Sequence, residues 1–235
     1  MNPYFEALDE MIDRYDFYKV FFQNPYAAND YPTNDDFELY FGASRGCLIL
    51  PNMPTVVKFD VENDALGSIC NRELANYRRA CNQKIEKYFA PARYIGTFTK
   101  RIKYWNWELV RAVVGYHDDD DDEFWFETIN NSLDENEKEE ILISIPLYEY
   151  TKAEETYFNS SVESKMRASN SKVFYKYSNV GGQFIDTYGI EEFKALEKFL
   201  SDNNINDLHE GNVGFIDGKI VFIDYGGYYC EDEED

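Results

Sequence analysis

Apolar residues recur every three or four positions in three stretches of the chain, which is the spacing of one face of an α-helix. These stretches cover residues 5–15, 74–88 and 190–200. The first predicts an amphipathic N-terminal helix that packs on the rest of the fold. The second predicts a helix with Glu73 at the edge of its apolar stripe, and the third predicts a helix that ends at the polar residues 202–204.

Short apolar runs bounded by turn-forming residues predict β-strands. The runs are residues 38–41, 47–50, 55–59, 94–98, 108–116 and 140–148. Residues 51–54 contain two prolines and predict a turn between the second and third strands. The polar stretch 151–189 predicts no definite element. Helices mixed with strands indicate an α+β fold, and 235 residues are enough for one domain with two lobes.

A β-hairpin is predicted near the end of the chain, where an Asp-Gly pair at Asp217 separates two apolar runs. The implied register pairs Ile216 with Lys219 and brings Asn212 diagonally beside Asp224. Diagonal neighbours on two strands lie roughly 7–8 Å apart. One small cation could therefore contact both side chains, and Mg²⁺ prefers such oxygen ligands. The simpler interpretation is a surface hairpin in which Asp and Asn are turn formers.

Asp207 precedes Asn212 by five residues, and Asp224 follows Asn212 by twelve. Phosphoryl transfer needs a carboxylate near the attacking hydroxyl, together with an amide and a second carboxylate that hold magnesium. The three side chains match these requirements in type and order.

Two further candidates lie upstream. Lys58 is in the strand-like run 55–59, and Glu73 follows it by fifteen residues. A lysine on nucleotide phosphates, held by a helix glutamate, is the other half of kinase chemistry. The simpler interpretation of Lys58 is a solvated charge on the outer face of a strand.

Small residues precede the second predicted strand, at Gly42, Ser44 and Gly46. Such residues let backbone N–H groups approach a phosphate closely. With only two glycines, the same segment is also compatible with an ordinary turn.

The order of these features resembles the protein-kinase-like fold over roughly residues 36–228. Val-Val-Lys at 56–58 resembles the third-strand lysine signature, and residues 224–226 resemble the metal-binding DFG element. Residues 207–212 are most similar to the catalytic loop of the aminoglycoside phosphotransferase and choline kinase branch, which has a histidine two residues after the aspartate. The chain is also similar to compact kinase-like proteins encoded by bacteriophages.

The resemblance implies a two-lobed α+β fold, with an antiparallel sheet in the N-lobe and a truncated, helical C-lobe. Residues 1–35 would form an N-terminal helical extension. Residues 36–146 would form the N-lobe, with an acidic insertion near 118–138. Residues 147–235 would form a minimal C-lobe with the catalytic loop, the metal hairpin and an acidic tail. Residues 146–149 would contact adenine through backbone groups.

The resemblance also implies ATP and Mg²⁺ as cofactors. Lys58 would contact the α- and β-phosphates while Glu73 orients it. Asn212 and Asp224 would hold the metal, and Asp207 would accept or orient the proton of the acceptor hydroxyl.

The region of the catalytic loop, around residues 207–212, matches the family only in part. His209 would contact the γ-phosphate or support the loop. Two positions before the catalytic aspartate the family usually has His or Tyr, and here Ile205 stands there. Because the chain ends 11 residues after Asp224, we expect the helices that bind acceptors in relatives to be missing or replaced.

The composition has 44% hydrophobic and 17% aromatic residues, which indicates a folded protein despite its charge of −22. That charge argues against binding nucleic acid or an anionic membrane and permits a protein partner with a basic surface. Acidic runs at 118–123 and 231–235 are a solvated loop and tail, a handle for a basic protein, or a mimic of nucleic-acid phosphate.

Four cysteines show no paired motif, and two histidines are too few for a histidine-rich zinc site. The sequence has no apolar run of about 18 residues and no basic-then-apolar leader, so we expect no membrane contact. These features predict a cytoplasmic protein, in the host cytoplasm if it is viral.

Three functions remain open. The first is an active kinase whose acceptor is a protein or small-molecule hydroxyl. The second is a pseudokinase that acts as a binding module. The third is an acidic inhibitor, viral in origin, that covers the nucleic-acid-binding surface of a basic partner.

Overall fold

The computed structural model describes residues 2–14, 37–41, 45–60, 68–105, 132, 134–154 and 159–227. Over these residues the chain is an α+β protein with a five-stranded antiparallel sheet, five α-helices and a separate β-hairpin. The predicted strand at 108–116 and both acidic runs, at 118–123 and 231–235, lie outside the described residues.

The sheet contains strands β1 to β5 in the order β1-β2-β3-β5-β4, with every neighbouring pair antiparallel. Their bounds are β1 (Glu38–Phe41), β2 (Arg45–Ile49), β3 (Thr55–Asp60), β4 (Ala92–Trp105) and β5 (Lys138–Thr151). The predicted antiparallel sheet is therefore confirmed. β4 and β5 are each longer than predicted because they pair with each other over almost their whole length.

Side chains of β3 alternate between two hydrophobic cores, as the pleat of a strand requires. Val57 and Phe59 belong to the first core, where they contact helix α1 (Pro3–Arg14) through residues such as Leu8. The Tyr4 hydroxyl of α1 also donates a hydrogen bond to the Thr55 carbonyl oxygen at 2.6 Å. The predicted N-terminal helix therefore forms and covers one face of the sheet.

The second core lies on the other face and is formed mainly by the remaining helices and the hairpin. The helices are α2 (Ile69–Gln83), α3 (Val162–Ala168), α4 (Ser178–Tyr188) and α5 (Ile190–Asp202). Helix α2 begins at an N-cap, where the Ser68 hydroxyl accepts a hydrogen bond from the Asn71 backbone N–H at 3.0 Å. Val56 of β3 packs against this core, which therefore joins the sheet to the helices.

The helix predicted over 74–88 ends earlier, at Gln83. Lys84 adopts a left-handed conformation with φ of 60°, and its N–H and that of Ile85 bond back to the last turn of α2. Tyr88 then lies in a short 3₁₀ turn, Glu86–Tyr88, and is fully buried. The apolar spacing continued past the helix end because the following turn packs into the same core.

The predicted boundary between residues 146 and 147 falls inside β5. Residues 146–149 pair with β4 on one side, and Glu149 and Tyr148 also pair with Val57 and Lys58 of β3 on the other. Because this backbone is inside the sheet, the expectation that residues 146–149 contact adenine is wrong. The connection to the helices begins only at Lys152.

The hairpin consists of β6 (Val213–Ile216) and β7 (Lys219–Phe222), and Ile216 pairs with Lys219 as predicted. Asp217 and Gly218 both have positive φ, of 50° and 71°, as a two-residue hairpin turn requires. Within the described parts of the chain, no helix is long and apolar enough to cross a membrane.

Candidate active site

A cleft of about 910 Å³ lies between the sheet and the hairpin. Its walls come from β2, β3, the end of β5 with the following residues 152–154, and the hairpin. The apolar part of the lining includes Ile49, Val56, Ala90, Phe215 and Ile223, and Lys58 provides a positive charge.

The connecting residues after β5 are fixed against the hairpin. The Glu154 N–H donates to the Phe215 carbonyl oxygen at 2.8 Å, and the Phe215 N–H donates back to the Glu154 carbonyl oxygen at 3.0 Å. A side chain at Gly214 would approach the Ala153 Cβ to 2.7 Å. Glycine at this position therefore lets the connection and the hairpin form one wall of the cleft.

Lys58 and Glu73 are brought together, as the sequence predicted. The Lys58 Nζ lies 3.8 Å from the Glu73 Oε2, and it donates a hydrogen bond to the Ile223 carbonyl oxygen. The same Nζ lies 4.6 Å from the centre of the Tyr150 ring, a cation–π distance. Burial raises the pKa of the Tyr150 hydroxyl, so this ring stays neutral beside the lysine.

Glu73 is completely buried and connects helix α2 to the segment after β7. Its Oε1 accepts a hydrogen bond from the Tyr225 backbone N–H at 2.8 Å. Asn76, one turn later, donates from its Nδ2 to the Tyr225 carbonyl oxygen at 2.9 Å. Helix α2 therefore binds both the N–H and the carbonyl oxygen of Tyr225, the residue that follows Asp224.

Arg45 is a site residue that the sequence interpretation missed. Its NH1 lies 2.8 Å from the Glu73 Oε2, and its NH2 contacts the Asp224 Oδ2 directly. No local pattern pointed to it, because its partners follow it by 28 and 179 residues. The only available signal was an arginine inside the small-residue segment, two residues before a predicted strand.

Charge around Asp224 favours its ionised form. Burial alone would raise the pKa of the Asp224 carboxyl, but the positive charges of Arg45 and Lys58 outweigh it and place that pKa below its ordinary value. A carboxylate that is ionised at neutral pH is suited to hold a cation.

The loop before the hairpin is organised by Asn212. Its Nδ2 donates to the Asp207 Oδ2 at 2.7 Å and to the Asp207 carbonyl oxygen at 2.9 Å. Its own carbonyl oxygen accepts from the N–H groups of Ile223, at 2.9 Å, and Asp224, at 3.3 Å. Asn212 therefore connects Asp207, through its side chain, to the backbone of Asp224.

His209 supports the loop in this geometry. Its Nδ1 accepts a hydrogen bond from the Gly211 N–H at 3.0 Å, and its Nε2 lies 3.6 Å from the Asp207 Oδ1. Ile205, two residues before Asp207, is buried in the second core. The loop is therefore held by apolar packing from one side and by His209 from within.

Only part of the predicted small-residue segment lies among the described residues. Gly42 and Ser44 lie outside the described residues. Gly46 is in a strand and not in a loop, because it pairs with Phe41 of β1 and Phe59 of β3. The structure therefore places Gly46 near the start of β2, and its contact with a phosphate stays a prediction.

Asp224 and Asn212 provide a donor set that suits Mg²⁺. The Asn212 nitrogen is used by Asp207, which leaves the amide oxygen for a metal. Mg²⁺ in nucleotide sites commonly takes one or two carboxylates, with phosphate and water completing its shell. Among the described residues no cluster of three or more His, Cys, Asp or Glu could hold a metal ion, so phosphate would have to complete this site.

Gly227 follows the predicted metal element and has a φ of +72°, and a Cβ there would lie 2.4 Å from the Asn204 carbonyl oxygen. We expect Gly227→Ala to lower the free energy of unfolding by about 2 kcal/mol, from strain plus the clash. Gly218→Ala is the matched control, since Gly218 has a φ of +71° with nothing within 4 Å. Urea unfolding of both variants measures the difference, and equal losses would contradict the close approach at Asn204.

Neither a family model nor a curated protein matches this chain.

Proposed function

We propose that the chain is an ATP- and Mg²⁺-dependent phosphotransferase of the protein-kinase-like superfamily, with a protein or small-molecule hydroxyl as acceptor. One observation carries this proposal. Lys58, Glu73 and Asp224 come from three separate segments and meet through Arg45 in one charge cluster beside the 910 Å³ cleft. Charged side chains that converge beside a cleft are typical of binding and active sites.

The arrangement of elements also favours a two-lobed kinase-like fold. The five-stranded sheet with α2 between β3 and β4 would be the N-lobe, and the hairpin with α3 to α5 would be the C-lobe. Protein kinases carry their phosphate-contacting lysine on the third strand and its glutamate partner on the following helix. Lys58 on β3 and Glu73 on α2 have these positions.

The cleft is suited to a nucleotide base. Val56 and Ile49 on the sheet side face Phe215 and Ile223 on the hairpin side, and apolar walls of this kind take up a flat ring. Residues 152–154 form its edge. The N–H groups of Lys152 and Glu154 already donate to Pro54 and Phe215, so the backbone of Ala153 between them replaces 146–149 as the proposed adenine contact.

In the proposed mechanism Lys58 binds the α- and β-phosphates, and Glu73 keeps its ammonium group in place. The Asn212 amide oxygen and the Asp224 carboxylate would hold Mg²⁺, which would supply positive charge to offset that of the ATP phosphates. Asp207 orients the acceptor hydroxyl and takes its proton. Its Oδ2 accepts a hydrogen bond from Asn212, which fixes the direction of the carboxylate.

Lys58→Met tests nucleotide binding. Loss of a charge-assisted phosphate contact costs about 1.5–3 kcal/mol, so we expect ATP affinity in Mg²⁺ to fall by about 10- to 150-fold. Isothermal titration calorimetry on the full chain measures it. Lys103→Met, on an exposed position of β4, removes the same charge and should leave the affinity unchanged. Equal affinities of wild type and Lys58→Met would contradict a nucleotide site in this cleft.

A second candidate is a binding module that has lost turnover. The Arg45–Asp224 contact favours this candidate, because Arg45 neutralises the carboxylate without a metal. The charge of −22 would suit a basic protein partner, including one that otherwise binds nucleic acid. This candidate predicts that Lys58→Met leaves the effect of the chain on its partner unchanged.

A further inference from the structure

Arg45 lies beside Asp224, the proposed metal-binding carboxylate, and brings a positive charge to it. One end of its guanidinium contacts the Asp224 carboxylate and the other lies 2.8 Å from the Glu73 carboxylate. The Arg45 side chain is only 11% exposed, and that of Glu73 is fully buried. The Arg45 guanidinium therefore bridges two carboxylates, of which Glu73 is buried and Asp224 is partly exposed.

Lys58 adds positive charge near Asp224, but its ammonium group is engaged by other partners. Its Nζ is 3.8 Å from Glu73 and is directed to the Ile223 carbonyl oxygen. Among the described residues, the salt bridge made by Asp224 is the one with Arg45. Asp224 is therefore held by a fixed internal cation.

A divalent cation and a guanidinium cannot use the same carboxylate oxygen at full strength. Arg45 already contacts the Asp224 Oδ2, so a divalent cation on the same carboxylate would lie close to the guanidinium, and two positive charges within a few ångströms of each other repel. Arg45 begins β2, where its backbone pairs with Asp60 of β3. Its side chain can therefore leave Asp224 without any change in the strand.

We propose that Arg45 competes with the divalent cation for Asp224 and sets the metal affinity of the site. This inference rests on the proposed function, because it takes Asp224 as the metal ligand. Without nucleotide, Arg45 keeps Asp224 occupied and the metal binds weakly. ATP phosphates offer the guanidinium another anionic partner, so metal and nucleotide bind with positive cooperativity.

Direct Mn²⁺ binding to the full chain without nucleotide tests this, with the EPR signal of free Mn²⁺ as the readout. We expect Arg45→Met to bind Mn²⁺ at least about tenfold more tightly than wild type, because the competing charge is gone. Arg101→Met is the matched control. It removes the same charge from an exposed arginine that pairs with Glu140, so its affinity should equal that of wild type.

Two further measurements keep the test decisive. The gain should vanish in the double variant Arg45→Met with Asp224→Asn, because the ligand itself is lost. If Arg45→Met does not fold, Arg45→Gln retains a polar side chain between the two carboxylates and should give the same direction of change. Mn²⁺ should also raise the melting temperature of the Arg45 variant more than that of wild type.

The outcomes separate this inference from the function on which it rests. Equal Mn²⁺ affinities in wild type and Arg45→Met, with both lost on Asp224→Asn, would overturn the competition and leave the metal site standing. Weaker binding in Arg45→Met would overturn it as well and make Arg45 a support for the site. No Mn²⁺ binding in any variant, together with no binding of Mg–ATP, would overturn both.

Discussion

Glu73→Ala should lower the free energy of unfolding by about 3 kcal/mol, the lower end of the cost of breaking a buried ion pair. The buried carboxylate of Glu73 faces the guanidinium of Arg45 and accepts the Tyr225 N–H. Its removal leaves that N–H buried without a partner and halves the negative charge next to Arg45. The loss of unfolding free energy stays at the lower end of that range because Arg45 keeps its ion pair with Asp224.

Thermal and urea unfolding measure this loss, which corresponds to a fall in melting temperature of about 6–12 °C for a chain of this length. Glu163→Ala is the matched control, because Glu163 is 76% exposed and pairs with Arg167 on the surface of α3. Surface pairs contribute at most about 1 kcal/mol. A loss from Glu73→Ala as small as that from Glu163→Ala would show that the buried cluster does not hold α2 to the segment after β7.

Asp207→Asn should lower the rate of phosphoryl release from ATP by about 10²- to 10⁴-fold, the usual contribution of a positioned general base. The substitution keeps the size of the side chain, and the amide oxygen can still accept from Asn212. It removes the ability to take a proton. ATP affinity should therefore stay within about twofold of wild type, since the phosphates are bound by other groups.

Release of inorganic phosphate from ATP in Mg²⁺ gives the rate, with water as the acceptor. Asp202→Asn, at the exposed end of α5 where Asp202 pairs with Lys198, is the control and should keep the wild-type rate. An unchanged rate in Asp207→Asn would exclude Asp207 as the base. Loss of ATP binding along with the rate would instead make Asp207 part of the nucleotide site.

Local signals in the sequence were sufficient for several elements. The Asp217-Gly218 turn determines the hairpin and its register, because both residues accept positive φ and the flanking runs are apolar. Helix α5 follows from its apolar spacing alone. The meeting of Lys58 with Glu73 was predicted from the resemblance, and the structure brings these side chains together.

Other features depend on contacts between distant parts of the chain. Arg45 carries no local pattern, since it acquires its role from partners in α2 and after β7. Helix α4 contains Gly181-Gly182, a pair that disfavours a helix, yet a side chain at Gly181 would lie 2.8 Å from the Ala168 Cβ. Close packing of α3 on α4 requires glycine there. The early end of α2 at Lys84 escaped prediction because a left-handed residue other than glycine gives no sequence signal.

The measurement that tests the nucleotide–metal site most directly is thermal unfolding of the full chain with and without Mg–ATP, with Asp224→Asn alongside. Ligand at about 100 times its dissociation constant stabilises the folded state by roughly 2.7 kcal/mol, which raises the melting temperature by about 5–10 °C for a chain of this size. We predict this increase for wild type only, and only when Mg²⁺ is present. No increase at millimolar Mg–ATP, or an equal increase in Asp224→Asn, would contradict the site.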